Sequence, residues 1–562
     1  MRPSSPHQLP LGTSQPPNEA HAVSVSLPTW NSIVSWSLRE PWVVSQMKAG
    51  YPRLFVNSTI QDLGAAVLDR LQLSRTNASC MILPSSPAAQ RLVDSLAEKN
   101  TGLLLSPPIR FFVPPARHPT LCNEGRDIHN EQEYRWATFY AVVYHTDLAP
   151  IAMSFWRETG DGITSRHAEY ALGMFQFLKS QSDSSLFCTA PEAHLDELQN
   201  ASSLPPPSTT AAEITSIKSL IATSAASDSP GHAPIRLDDV FLYSKGLAGI
   251  YAVARSLVPE GPSAEDSQVV IYGWPYAETV KCVERSGWGN VILYGKGTEA
   301  DLDELEQRLA NGVRIQALFC ELPSNPQLAS PDLHRIRALA DQYKFVVACD
   351  ETLGTFVNVD VLPYVDIVMT SLTKIFSGAA DVMGGSVIVN PDSPFYESIH
   401  GRLAKSWEDV LFPGDIAVLA RNCPDFVERV QYCCHGALAV ANLVSQSSLV
   451  ATVYYPSLVP SRHLYERYRR ENGGYGAVAF YDALDVCKGT SIGANFTLAV
   501  PYSQLAHFRE LDWAEANGVP KHIVRISVGI DDTEKLLNRV VKALEAAQNV
   551  SHAGRAENVS SL

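Results

Sequence analysis

From Arg236 onward, short apolar runs alternate with amphipathic stretches, and this pattern limits the chain's folding options more than any other feature. The runs are Val269–Tyr272, Val291–Tyr294, Ile315–Cys320, Phe345–Cys349, Asp366–Thr370 and Gly385–Val389, with helical patterns such as Glu299–Ala310 and Leu333–Gln342 between them. Continuous apolar strands separated by helices predict a mostly parallel sheet covered by helices on both faces. Right-handed crossovers then bring the carboxyl ends of the strands to one edge, where ligands of such sheets bind.

The flanking regions read differently. Residues 1–20, rich in Pro, Ser and Gln, predict a disordered tail, and 21–198 a folded N-terminal extension with a helix near Ile60–Leu73. Residues 199–235 contain Leu204-Pro205-Pro206-Pro207 and one short helical pattern, Ala212–Thr223, and read as a linker or arm. The sheet domain is expected over 236–395 and a smaller α+β domain over 396–550. The latter has a long helix at Asp415–Leu443, strands at Ala477–Phe480 and Ile523–Gly529, and a closing helix from Thr533 to Ala547. Residues 551–562 read as a polar tail.

Composition excludes several functions. The chain has 562 residues and a formal charge of −15 with no run of Lys or Arg, so no nucleic-acid partner is expected. No stretch approaches the roughly 20 apolar residues of a membrane helix. The N-terminus has no apolar core of a signal peptide, so a cytoplasmic location is expected. The ten cysteines contain no CxxC pair. Cys433-Cys434-His435 lacks the paired spacing of structural zinc sites, and no metal is expected.

Three strand ends carry candidate chemistry. Ser244-Lys245-Gly246-Leu247 follows one strand and opens a helix, where backbone N–H groups can cradle a phosphate or the glycine can serve the turn sterically. Asp350 ends the strand Phe345–Cys349. A carboxylate there is costly unless it meets a cation, such as a protonated pyridine nitrogen, or caps the next helix. Ser371-Leu372-Thr373-Lys374 follows Asp366–Thr370, placing an amine among apolar neighbours next to two hydroxyls that can bond a phosphate.

In this order and spacing, these motifs resemble the Cys/Met-metabolism enzymes that depend on pyridoxal 5'-phosphate (PLP), proteins of PLP fold type I. Within that family, HAVSVSLPTW, GYPRLF, GDGITSRHAEY and VDVLPYVDIVMTSLTKIFSGAADVMGGSV resemble the long fungal cystathionine γ-synthases with an N-terminal extension. The resemblance implies that Lys374 carries the cofactor and moves protons. It implies phosphate binding by Ser371, Thr373 and the N–H groups of Gly246 and Leu247, and pairing of Asp350 with the pyridinium. Tyr272 is implied to stack on the ring with a catalytic part, Asn325 to bond the ring oxygen and substrate, and Arg525 to clamp the substrate carboxylate. Arg166 matches the arginine that reaches the phosphate of a neighbouring subunit, implying a homodimer or homotetramer with shared active sites.

The implied reaction is γ-replacement on an O-acylhomoserine by L-cysteine, giving L-cystathionine. The chain departs from the family pattern at Thr164, where a tyrosine is common, at Ala379-Ala380-Asp381 and at Gln327. These departures keep open a related γ-replacement or γ-elimination enzyme of specialised metabolism, using another carbon, nitrogen or sulfur nucleophile. A non-catalytic regulatory subunit is a third reading, opposed by the joint presence of Lys374, Asp350 and Arg525.

Overall fold

The computed structural model describes residues 9–47, 49–51, 54–99, 102–113, 134–181, 204–476 and 484–559. The chain divides into two compact units. One comprises Met1–Tyr51, Thr215–Trp407 and Leu419–Leu562, the other Pro52–Ile214 and Glu408–Val418.

From residue 9 on, the first unit carries an ordered strap where a tail of 20 residues is expected; residues 1–8 of that tail lie outside the described residues. Strands β1 (Ser14–Gln15) and β2 (Ser24–Val25) pair antiparallel. The strap is tied down by backbone bonds from Val23 N–H to Ala380 O (2.9 Å) and from Leu27 N–H to Lys488 O (3.1 Å). Low-complexity composition says little about order here, because the order comes from partners about 360 and 460 residues away. These same bonds assign residues 21–51 to this unit and separate them from the rest of the expected 21–198 extension.

The second unit holds β3 (Ala78–Leu83), β4 (Ile109–Phe112), β5 (Phe139–His145) and β6 (Lys179–Ser180), in the order β3-β5-β4-β6 with every pair antiparallel. The helix Ser58–Arg70 starts at Asn57, whose side chain accepts the Thr59 N–H at 2.9 Å. Its buried face, Ile60, Leu63 and Val67, joins Leu92, Phe111, Phe139 and Phe155 in one core.

Within the stretch expected to be a linker, Pro207–Ala225 is a 19-residue helix with Ile217 and Ile221 buried. Pro207, the last of the proline run, is its first residue, where a missing N–H costs nothing.

The first unit continues with β7 (Val240–Tyr243), β8 (Gln268–Tyr272), β9 (Asn290–Tyr294), β10 (Ala317–Glu321), β11 (Val346–Asp350), β12 (Ile367–Thr370) and β13 (Gly385–Val389). The sheet order is β7-β13-β12-β11-β10-β8-β9. The pairs among β8 to β12 are parallel, and β13 runs antiparallel to both neighbours. This is the mostly parallel, helix-flanked sheet of the PLP fold type I.

In the smaller C-terminal portion, β14 (Cys487–Lys488), β15 (Leu498–Pro501) and β16 (Val524–Ser527) form a three-stranded sheet. The long helix expected at 415–443 is two helices, Pro413–Asn422 and Phe426–Ser445. Pro424 between them cannot continue the ladder of the first. The closing helix extends from Thr533 to Val559, through most of the expected tail. The strand expected at 477–480 lies outside the described residues. Among the described residues no helix is long and apolar enough to cross a membrane.

Candidate active site

Register builds the site. Across the parallel strands Tyr272 pairs with Cys320, Glu321 with Asp350, and Asp350 with Met369, so the carboxyl ends of β8, β10, β11 and β12 form one row. Gly385, at the start of β13, pairs with Tyr243 at the end of β7. The turn after β7 therefore lies beside the turn after β12. A Cβ built on Gly246 would sit 2.7 Å from Ser371 Cβ and 2.9 Å from its Oγ. Only glycine allows this approach, which brings the N-terminus of the helix Gly246–Leu257 to the Ser371 hydroxyl. This supports Gly246, Leu247 and Ser371 as a phosphate cradle. The Thr373 hydroxyl instead accepts the Gly384 N–H (3.1 Å) and donates to Gly384 O, which fastens the lysine loop to the strand beside it.

Asp350 Oδ1 accepts the Thr352 N–H at 2.9 Å, and Gly354 occupies the cap of the next helix, so Asp350 holds a turn and is not the helix cap. Burial pushes its carboxyl up, opposed by its bonds to Thr352 and by the charge of Lys374. A carboxylate in that position gains most from a further cation. Glu321, its neighbour across the strand pair, is raised well above the usual range, first by burial and then by Asp350. It accepts the backbone N–H of Tyr276 and, at 3.2 Å, that of Asn325, joining two loops of the site. Sequence reasoning missed Glu321, although it stands at a strand end four residues before Asn325.

Lys374 is 8% exposed, and its Nζ lies 4.1 Å from the centroid of the Tyr51 ring at the end of the strap. The loop after it is pinned by the buried Arg429, whose guanidinium donates to Ile375 O (3.2 Å) and Phe376 O (2.8 Å). Tyr51 stands in the quoted GYPRLF segment, but nothing in the sequence relates it to residue 374.

Tyr272 donates its hydroxyl to Thr298 O at 2.8 Å, and burial with Asp301 pushes the phenol up. A hydroxyl held this way is poorly suited to proton transfer near neutrality, so the ring face is what Tyr272 offers. On the smaller sheet Arg525 is 6% exposed and donates to Asn325 Oδ1 at 3.2 Å. The Asn325 Nδ2 group, the donor its expected role requires, then lies on the other side of the amide.

The first unit thus brings together nine of the residues singled out above. Arg166 belongs to the second unit, where its Nη1 lies 3.3 Å from Asp415 Oδ1 and Thr164 donates to Asp415 Oδ2 at 2.6 Å. Its expected role involves another chain. Among the described residues no cluster of three or more His, Cys, Asp or Glu is arranged to hold a metal.

The residues of the first unit fit PLP. A phosphate suits the glycine-tight cradle, a pyridinium suits the buried Asp350 carboxyl, and an aldehyde carbon suits the enclosed Lys374 amine.

Comparison with known proteins agrees with this reading. A family model described as Cys/Met metabolism PLP-dependent enzyme matches residues 236–545, and one described as fungal trans-sulfuration enzyme, N-terminal domain, matches 59–164. The chain is 44% identical to a cystathionine gamma-synthase-like protein, ankD, of Aspergillus thermomutatus, covering 97% of this chain and 96% of the relative. It is 34% identical to a cystathionine gamma-synthase of Neurospora crassa, covering 96% and 99%. A crystal structure of cystathionine gamma synthase from Xanthomonas oryzae pv. oryzae, at 22% identity and TM-score 0.50, covers 59% of this chain and 84% of its own and shares the fold.

Proposed function

The chain belongs to the Cys/Met-metabolism family of PLP-dependent enzymes, and we propose that it catalyses γ-replacement on an O-acylhomoserine, with L-cysteine as nucleophile and L-cystathionine as product. The observation that carries this reading is the meeting of Lys374, Asp350 and the Ser371–Gly246 cradle at one sheet edge, with the buried Arg525 joined to Asn325 on the same unit.

When bound, PLP supplies an electron sink for negative charge on the substrate carbons. The chain's own groups do the rest. Arg525 holds the α-carboxylate of the amino acid by a two-pronged bond. Lys374 Nζ removes the α-proton and later returns a proton to the substrate chain. Positioned acid–base help of this kind contributes roughly 10²–10⁴-fold. Asp350 holds a proton at the ring nitrogen, Ser371 and the Gly246 turn bind the phosphate, and Tyr272 lies against the ring. Thr373 acts through the loop it fastens. Arg166 completes the site of a neighbouring copy in a homodimer or homotetramer, in the cytoplasm.

Two observations favour a second reading, a related enzyme with a different nucleophile. Identity is higher to the synthase-like relative than to the synthase, and Thr164, where a tyrosine is common, is engaged with Asp415.

The test is an absorbance spectrum of the purified protein and of Lys374→Ala, then mass spectrometry after O-acetylhomoserine and cysteine. A violet-absorbing chromophore lost in the variant, with cystathionine formed by the wild type, supports the first reading. Chromophore without cystathionine selects the second. A colourless wild type that stays colourless with added PLP rejects both.

A further inference from the structure

The cation that binds the substrate carboxylate is itself mounted on an aromatic group. β15 and β16 pair antiparallel with Val500 opposite Arg525 and Pro501 opposite Val524. Residue 502, two positions beyond Val500, opens the short helix Tyr502–Ala506 that follows β15. Tyr502 is 3% exposed, and the Arg525 Cζ lies 5.0 Å from its ring centroid. That is within the reach of a cation–π contact, which strengthens as water is excluded.

The ring is held from several sides. Tyr502 N–H donates to Ile523 O (3.0 Å), Ser503 Oγ to Pro520 O (2.7 Å) and Gln504 Nε2 to Lys521 O (2.9 Å), locking the turn that carries it. His507 lies against it at 5.6 Å between centroids and also meets Trp274 at 5.2 Å. Trp274 is two residues from Tyr272, so the mount reaches back to the loop of the ring-stacking tyrosine. His507 is 1% exposed, and its orientation is fixed by Glu510 Oε1, 3.0 Å from Nδ1.

We infer that Tyr502 is a positioning residue for substrate binding: its ring holds the Arg525 guanidinium flat and aimed, and so sets the preference for an amino acid with a free α-carboxylate. This rests on Arg525 being the carboxylate clamp. The ring face does the holding, so Tyr502→Phe keeps the function and Tyr502→Leu loses it.

The experiment uses the PLP-loaded enzyme and compares binding of a substrate amino acid with that of its α-carboxamide, read from the substrate-induced change in cofactor absorbance. Tyr502→Leu is expected to weaken the carboxylate form about 3- to 30-fold, leaving the carboxamide and the resting spectrum unchanged. Phenylalanine restores the preference. Phenylalanines at position 502 carrying one to three ring fluorines preserve shape while weakening the ring face. They are expected to lower the preference step by step, which keeps the test available if the leucine variant fails to fold. Equal loss for both ligands, or a preference indifferent to fluorination, overturns the inference. Arg525→Ala separates the layers: if that variant keeps the carboxylate preference, the clamp assignment itself is wrong.

Discussion

The seven-stranded sheet of the first unit and the four-stranded sheet of the second are made of similar material: buried aliphatic and aromatic strands with amphipathic helices on them. The second unit holds Arg166, and the first brings together the other nine candidate site residues. The parallel strands of the first end together, so Tyr272, Glu321, Asp350 and Thr370 lie within two register steps of one another although 98 residues separate the first from the last. In the antiparallel sheet neighbouring strands end at opposite edges. Polar groups of the second unit pair among themselves, as in the bridges from Arg91 to Asp161 (2.7 Å) and Glu408 (2.8 Å). The comparison teaches that strand direction, more than composition, decides where a site can assemble.

The sharpest way to break the comparison is to delete charge in each unit. Lys374→Ala is expected to lose the chromophore and roughly a thousandfold or more of the activity, and Asp350→Ala about a hundredfold. Arg91→Ala is expected to lower the melting temperature without changing the spectrum. An Arg91 variant that lost colour while remaining folded would end the division of labour.

A smaller effect tests the tight approach of the two loops. Gly246→Ala places a methyl 2.7 Å from Ser371 Cβ, and overpacking of this kind costs about 1–3 kcal/mol. The expected outcome is a lowered melting temperature of the cofactor-free protein together with weaker PLP affinity. Unchanged affinity would remove the cradle from the phosphate assignment.

The two units are also expected to respond to pH in opposite directions. In the second unit burial pushes His167 down to about 4, its ring 2.8 Å from Trp136 O and stacked on Phe412. The unfolded chain takes up a proton near pH 6.5 while the folded ring refuses it. Stability is therefore lost as pH falls from about 6.5 toward 4, by about 3 kcal/mol. In the first unit Asp350, Glu321 and Glu351 are raised by burial, so the fold holds their protons to higher pH than the unfolded chain does. Without cofactor, stability there is lost as pH rises above the ordinary carboxylate range. Peptide-resolved hydrogen exchange across pH checks both slopes. His167→Gln should remove the first and Glu321→Gln reduce the second.

The smallest effect concerns the strap. Tyr51→Leu removes the ring over Lys374, a contact worth about 0.5–2 kcal/mol. It is expected to lower kcat less than tenfold and to move the pH profile of kcat. An unaltered profile would make the strap a packing element only.

Much of the catalytic sheet was legible before any coordinates. Its strands fall within two residues of the apolar runs, because a strand buried on both faces has to be apolar throughout. Lys374, Asp350 and Gly246 were legible because each sits where such a run ends. The strap was not legible. Its Pro, Ser and Gln composition is that of disorder, and it is ordered only by partners such as Ala380 and Lys488. Pro424 was visible in the sequence, yet the apolar pattern on both sides of it outweighed the break.

The sequence by itself determined the order of the strands of the large sheet, the residues at their ends, and the family to which the whole belongs. These follow from local patterns of burial and turn chemistry, which are written residue by residue. Only the tertiary structure decided that Tyr51 faces Lys374, that Glu321 ties the Tyr276 and Asn325 loops together, that Thr373 spends its hydroxyl on Gly384, and that Tyr502 carries Arg525. Each is a meeting of groups brought together by strand register or loop packing, and no local pattern records which distant side chain will lie against which.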